Sequence, residues 1–167
     1  MPLNPAPGPA GLRIQTVFEG PGLSLLRGLL QEYRDWLGPA HDSPQLARDL
    51  RELPGPYRPP SGFLLLARLD DVAAGCIALR GLDAKEAELK RLFVSPDLRR
   101  RGIARALLDD TIRRARTIGY RALLLDMVSG MEAAHGLYAG AGFNAIAAYY
   151  PGARRARRFM RLDLGKR

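Results

Sequence analysis

The residues best suited to chemistry are Arg99, Arg100, Arg101, Gly102 and Ala104, which follow an apolar run and open a helical pattern. In the first turn of a helix the backbone N–H groups have no intrahelical partners. The helix dipole adds partial positive charge at the same end. Gly102 and the small Ala104 let a phosphate come close to the main chain. Three guanidinium groups add full charge and bidentate geometry. Such a turn is suited to holding a diphosphate through main-chain amides, including that of Ile103. Metal chemistry is not expected, because His41 and His135 have no second His, Cys or acid at ligand spacing. Cys76 lies in a strand-like run and reads as a small buried hydrophobe.

The elements that position this turn follow from periodicity. Ala87 to Val94 alternates, with Leu89, Arg91 and Phe93 on one side and Lys90, Leu92 and Val94 on the other, so a buried strand ends at Ser95-Pro96. Ile103, Ala106, Leu107, Asp110, Thr111 and Ala115 then repeat at helical steps, and Gly119 caps that helix. Ala122 to Asp126 is a short buried strand, and strand, helix, strand implies a right-handed parallel crossover.

Upstream, Leu12 to Phe18 reads as a strand. A helix starts near Pro21 or Ser24 and runs to Gly38-Pro39, with Leu25, Leu26, Leu29, Leu30, Tyr33, Trp36 and Leu37 on one face. Ser43 to Leu53 is a second amphipathic helix, stopped by Pro54-Gly55-Pro56. Two β runs flank Asp70-Asp71, a hairpin signal. Downstream, Met131 to Ala141 is a short helix, and Ala145 to Tyr150 and Arg158 to Leu164 are the last strands. The fold class is therefore one α/β domain with a mixed sheet.

Composition limits the partners. The chain has 167 residues, 47% apolar and 26% charged, which suits a single globular domain. No apolar stretch reaches about 18 residues, so no membrane span is expected. Residues 1–11 are rich in Pro, Gly and Ala without an apolar signal core, and read as a flexible lead-in to a domain at 12–167. A single cysteine fits a reducing, cytoplasmic setting. Net charge is +9, nearly all from arginine, with Lys85, Lys90 and Lys166 the only lysines. A basic surface favours anionic partners.

Leu92-Phe93-Val94-Ser95-Pro96 followed by Arg99-x-x-Gly102-x-Ala104 and Ala106-Leu107-Leu108 resembles the acetyl-CoA segment of GCN5-related N-acetyltransferases, the GNAT superfamily. Ala134-x-x-Leu137-Tyr138-x-x-x-Gly142-Phe143 resembles that family's closing helix and strand, and the order of elements from Leu12 to Leu164 matches as well. The resemblance implies a mixed sheet of about six to seven strands with about four helices, acetyl-CoA as co-substrate and transfer of its acetyl group to an amine. One departure is Met131, where the family often has an Asn that touches the pantetheine or pyrophosphate arm.

The resemblance also implies roles. The central strand splays from its parallel neighbour and pantetheine pairs with the backbone of Leu92, Phe93 and Val94, the Val94 N–H polarising the thioester carbonyl. The pyrophosphate sits on amides from Arg99 through Ala104. Glu88 occupies the position of the family's glutamate base, with Asp126 as runner-up or amine-orienting carboxylate. Tyr138 is the acid that protonates the leaving thiolate.

The acceptor pocket falls to Tyr33–Arg58 and Tyr149–Arg158, where arginines at 154, 155, 157 and 158 favour a small amine bearing a negative group. A protein amine is the other acceptor class. Homodimers are common in the family. Two alternatives remain: a domain that binds acyl-CoA without transferring it, and a basic nucleic-acid module. The second is disfavoured, since the arginines are not interleaved with aromatics and no helix-turn-helix pattern is present.

Overall fold

The computed structural model describes residues 8–128, 130–153 and 157–165. Seven strands form one sheet: β1 (Leu12–Thr16), β2 (Phe63–Leu69), β3 (Val72–Gly81), β4 (Glu86–Val94), β5 (Ala122–Val128), β6 (Asn144–Ile146) and β7 (Arg157–Asp163). Four α-helices accompany them: α1 (Gly20–Leu37), α2 (Pro44–Glu52), α3 (Ile103–Ile118) and α4 (Glu132–Gly140). The sheet order is β1-β2-β3-β4-β5-β7-β6, antiparallel except where β4 meets β5.

Both faces of the sheet are covered, and β2 shows how. Phe63, Leu65, Ala67 and Leu69 pack in the cluster that holds Leu107, Leu108 and Ala115 of α3. Leu64 and Leu66 pack on Leu26, Leu29 and Leu30 of α1. Strand residues alternate faces, so a strand buried on both sides reads as a continuous apolar run. The Asp70-Asp71 turn has positive φ at both residues, +47° and +67°, as a two-residue hairpin of that hand requires.

Most of the expected elements are present, with four differences. Trp36 is 46% exposed and Leu25 38%, so the buried stripe of α1 is Leu23, Leu26, Leu29 and Leu30. The strand expected at 145–150 is only Asn144–Ile146; Tyr149 and Tyr150 lie in the following loop. Within the expected lead-in, residues 1–7 fall outside the described residues. Pro9 and Gly11, in contrast, are tied to the fold by carbonyls that accept from Leu12 N and Asp70 N.

The fourth difference matters most. The alternation of β4 breaks at Arg91, which takes φ +60°, and the β3 register shifts between Cys76↔Phe93 and Ala78↔Lys90. This is a β-bulge. Leu89 therefore packs on the α3 face and Phe93 on the α1 face, although four residues apart they would share a face in a regular strand. The bulge also turns β4 away from β5, and the parallel pairing is confined to Glu86↔Ala122, Ala87↔Leu123 and Glu88↔Leu124.

Candidate active site

Where β4 and β5 part, a cavity of about 880 Å³ opens between the C-terminal half of β4, the start of α3, the start of α4 and the α1–α2 segment. That volume is in the range of cofactor and ligand sites. Its walls hold Leu92, Phe93, Val94, Arg99, Arg100, Gly102, Ile103, Ala104 and Tyr138, and also Asp126. Arg101 is exposed and does not line it.

The α3 end turns main-chain N–H groups toward the cavity. Gly102 is the N-cap with φ +80°, and Arg100 before it has φ +58°. A Cβ at Gly102 would meet no protein atom within 4 Å, so within the protein it is the backbone angle that calls for glycine there. The first intrahelical bond runs from Ala106 N to Gly102 O, which leaves the amides of Ile103, Ala104 and Arg105 free. The Arg99 amide does not join them, because it donates to Pro96 O at 3.3 Å. Its side chain is engaged too: Nε donates to Val94 O at 2.9 Å and the guanidinium lies 4.5 Å over the Trp36 ring. Arg99 thus ties α1 to the turn.

The floor is the bulged strand. Ser95 N donates to Ala74 O on β3 at 2.9 Å. Successive residues of a strand point their N–H groups to opposite sides, so the Val94 N–H is directed away from β3 into the gap. The start of α4 faces the same cavity through Met131, Ala133 and Ala134. Its first helical bond is His135 N to Met131 O, so the Ala133 and Ala134 amides have no helical partner either. Helical pattern alone placed α4 but did not reveal that its N-terminus opens on the cavity. Tyr138 stacks edge-on against Phe143 at 5.6 Å. Its hydroxyl makes no hydrogen bond to another described residue, and burial pushes its pKa above the ordinary tyrosine value.

Glu88, the glutamate that the resemblance offers as base, lies beside the cavity and not on its wall. It is 2% exposed and absent from the cavity wall. Arg80 Nε donates to its Oε1 at 2.8 Å, and the Tyr149 hydroxyl to its Oε2 at 2.6 Å. Both oxygens are therefore committed. The carboxylate that reaches the cavity is Asp126 on β5, which accepts from the Tyr150 hydroxyl at 2.5 Å and from Arg157 Nη1 at 2.7 Å. Tyr149, Tyr150 and Phe159 pack edge to face at 5.3–5.4 Å and close this end of the gap.

Between the two acids lies Lys90, a residue that motif reading passed over. Its Nζ donates to Gln45 Oε1 at 3.0 Å and lies 3.6 Å from Glu88 and 3.9 Å from Asp126. Burial pushes its pKa below the ordinary lysine value, and the nearby carboxylates offset part of that. Arg91 is held through Nε by Asp49 at 2.8 Å. Of the expected loop arginines, Arg157 pairs with Asp126 and Arg158 with Glu132, while 154 and 155 fall outside the described residues. Among the described residues no cluster of His, Cys, Asp and Glu is arranged to hold a metal. No helix among them is long and apolar enough to cross a membrane.

A splayed parallel pair, a glycine-capped helix aimed at the gap and a strand amide facing it define an acyl-CoA transferase type of cleft. The chain belongs to the acetyltransferase (GNAT) family, whose model matches residues 27–143. It is similar to an uncharacterised N-acetyltransferase of Schizosaccharomyces pombe, 29% identical over 164 residues, covering 95% of this chain and 98% of that protein. Among solved structures, an acetyltransferase from Streptococcus agalactiae superposes with a TM-score of 0.78 at 22% identity, over 92% of this chain and 99% of that one. A GNAT acetyltransferase from Elizabethkingia anophelis with acetyl-CoA bound gives 0.67 at 21% identity, over 92% and 99%.

Proposed function

We propose that the chain transfers an acetyl group from acetyl-CoA to the primary amine of a small molecule by direct attack. The observation that carries this reading is the Val94 N–H, directed into the same cavity as the free amides at the start of α3. Ile103, Ala104 and Arg105 offer main-chain donors to a diphosphate, with Arg100 beside them. Leu92 and Val94 offer strand backbone to the pantetheine amides, and Val94 donates to the carbonyl oxygen as it gains charge.

The amine nitrogen forms a bond to the acetyl carbon, the carbon–sulfur bond breaks, and the amine loses a proton. Asp126 is the carboxylate placed to orient the amine and accept that proton. Glu88, which the family resemblance offers as base, supports the wall by holding Arg80 and Tyr149. Tyr138, kept protonated by burial, gives its hydroxyl proton to the thiolate. The neighbour with acetyl-CoA bound supports the choice of acyl donor.

The test is thiol release from acetyl-CoA across a panel of amines, with calorimetry of acetyl-CoA alone. Binding and amine-dependent release support transfer. Binding without release from any small amine, peptide N-terminus or lysine peptide leaves an acyl-CoA-binding domain. Absence of binding at millimolar acetyl-CoA refutes the reading.

A further inference from the structure

The acceptor end of the cavity holds more positive charge than its acids neutralise. Arg48, Lys90, Arg91 and Arg157 line it with one carboxylate, Asp126. Asp126 Oδ2 is occupied by Tyr150 and Arg157, which leaves Oδ1 for an amine. Asp49 is occupied by Arg91 and by the Tyr57 hydroxyl at 2.7 Å. Glu88 is occupied by Arg80 and Tyr149.

The unused capacity is on the cations. The Lys90 side chain is only 10% exposed and, among the described residues, makes a single hydrogen bond, to the neutral amide of Gln45. Its nearest carboxylate oxygens, at 3.6 and 3.9 Å, are beyond hydrogen-bond length. An ammonium has three donors, so two are unmet. Arg91 Nη2 is enclosed by protein and turned from the cavity, so its charge acts on the cavity without a direct contact. Unmet buried donors are costly, and more so when charged. An oxyanion supplied by a ligand would satisfy those of Lys90.

We propose that the acceptor is a small amine carrying its own carboxylate, received by Lys90 with Arg91 beside it, while Asp126 faces the amine. This rests on the transferase reading above. It moves recognition from the loop arginines to the bulged strand. Repulsion from the four cations works against polyamines and other acceptors whose remaining charge is positive.

The experiment compares kcat/KM for matched triplets: an amino acid, its amide and its decarboxylated amine, using tryptophan, phenylalanine and lysine. The amide has a more acidic amine than the free acid, so preference for the acid over both relatives cannot come from amine basicity. The free acid is expected to lead by about tenfold or more. Lys90→Gln should bring that ratio toward one, mainly by raising KM for the free acid, and Lys90→Arg should retain most of it. Acetyl-CoA binding by calorimetry accompanies every variant.

Equal or better turnover of the amides or decarboxylated amines overturns the proposal. So does an unchanged ratio in Lys90→Gln, or turnover of no free acid by protein that binds acetyl-CoA. Wild-type protein that does not bind acetyl-CoA overturns the transferase reading itself. Should Lys90→Gln not fold, the Lys90→Arg ratio and the wild-type triplets decide.

Discussion

Replacing Tyr138 by Phe isolates one hydroxyl. The ring packs against Phe143 and is buried, so its apolar contacts survive the change. The hydroxyl makes no hydrogen bond to a described residue, so its loss strands no partner. Stability should therefore change by less than about 0.5 kcal/mol, as for a substitution that disturbs no packing or network. The rate is another matter. General acid catalysis by a positioned side chain contributes roughly 10²-fold at its low end, which is about 2.7 kcal/mol of barrier.

The burial that raises the Tyr138 pKa keeps the proton in place across neutral pH, so the wild-type rate should show no loss of this acid there. The assay is thiol release at saturating acetyl-CoA and amine, with thermal melting alongside. The expected result is a kcat lowered about 10²-fold, an unchanged KM for acetyl-CoA and an unchanged melting temperature. A kcat within about twofold of wild type would show that the thiolate takes its proton from elsewhere.

Further expectations concern the cradle, the buried acid and the thiol. Gly102→Ala forces a Cβ onto a backbone at φ +80°, which costs about 1–2 kcal/mol; melting should drop by several degrees and calorimetry should show weaker acetyl-CoA binding. Tyr149→Phe leaves Glu88 Oε2 without its 2.6 Å donor, so chemical denaturation should report a loss of about 1–3 kcal/mol, and no loss would mean that water replaces the hydroxyl. Burial pushes the Cys76 thiol up to about 12, so the native protein should resist thiol reagents at pH 8 and react only when unfolded, which also keeps thiol-release assays free of background; prompt labelling of native protein would contradict that burial.

The sequence made some of this legible and hid the rest for physical reasons. The α3 cradle was readable because Gly102 marks a positive φ and the flanking periods change from two to 3.6 residues. The hairpin at Asp70-Asp71 was readable because short acidic residues tolerate the left-handed angles there. The bulge at Arg91 was not. No glycine marks it, and Asp49, forty-two residues upstream, holds the side chain while Cys76 Sγ donates to its carbonyl. Contacts that distant leave no local pattern.

The tyrosine loop was misjudged for a related reason. Ala145 to Tyr150 has strand composition, but Tyr149 and Tyr150 give their hydroxyls to Glu88 and Asp126, and those bonds replace a ladder. The same bonds keep both oxygens of Glu88, in the right place along the chain for a base, engaged beside the cavity. Lys90 was given no role in recognition because a strand pattern does not show which cavity a lysine in it reaches once the sheet folds.

The stack of Arg99 on Trp36 has a practical consequence. Trp36 is the only tryptophan in the chain, and it touches the residue that joins the anion-binding turn to the first helix. A guanidinium lying on an indole perturbs its excited state, and any phosphate that draws the guanidinium aside alters the emitted light. Under the proposed acetyl-CoA reading, Trp36 emission should therefore change when the nucleotide arrives, a signal usable in rapid-mixing experiments without attaching a dye.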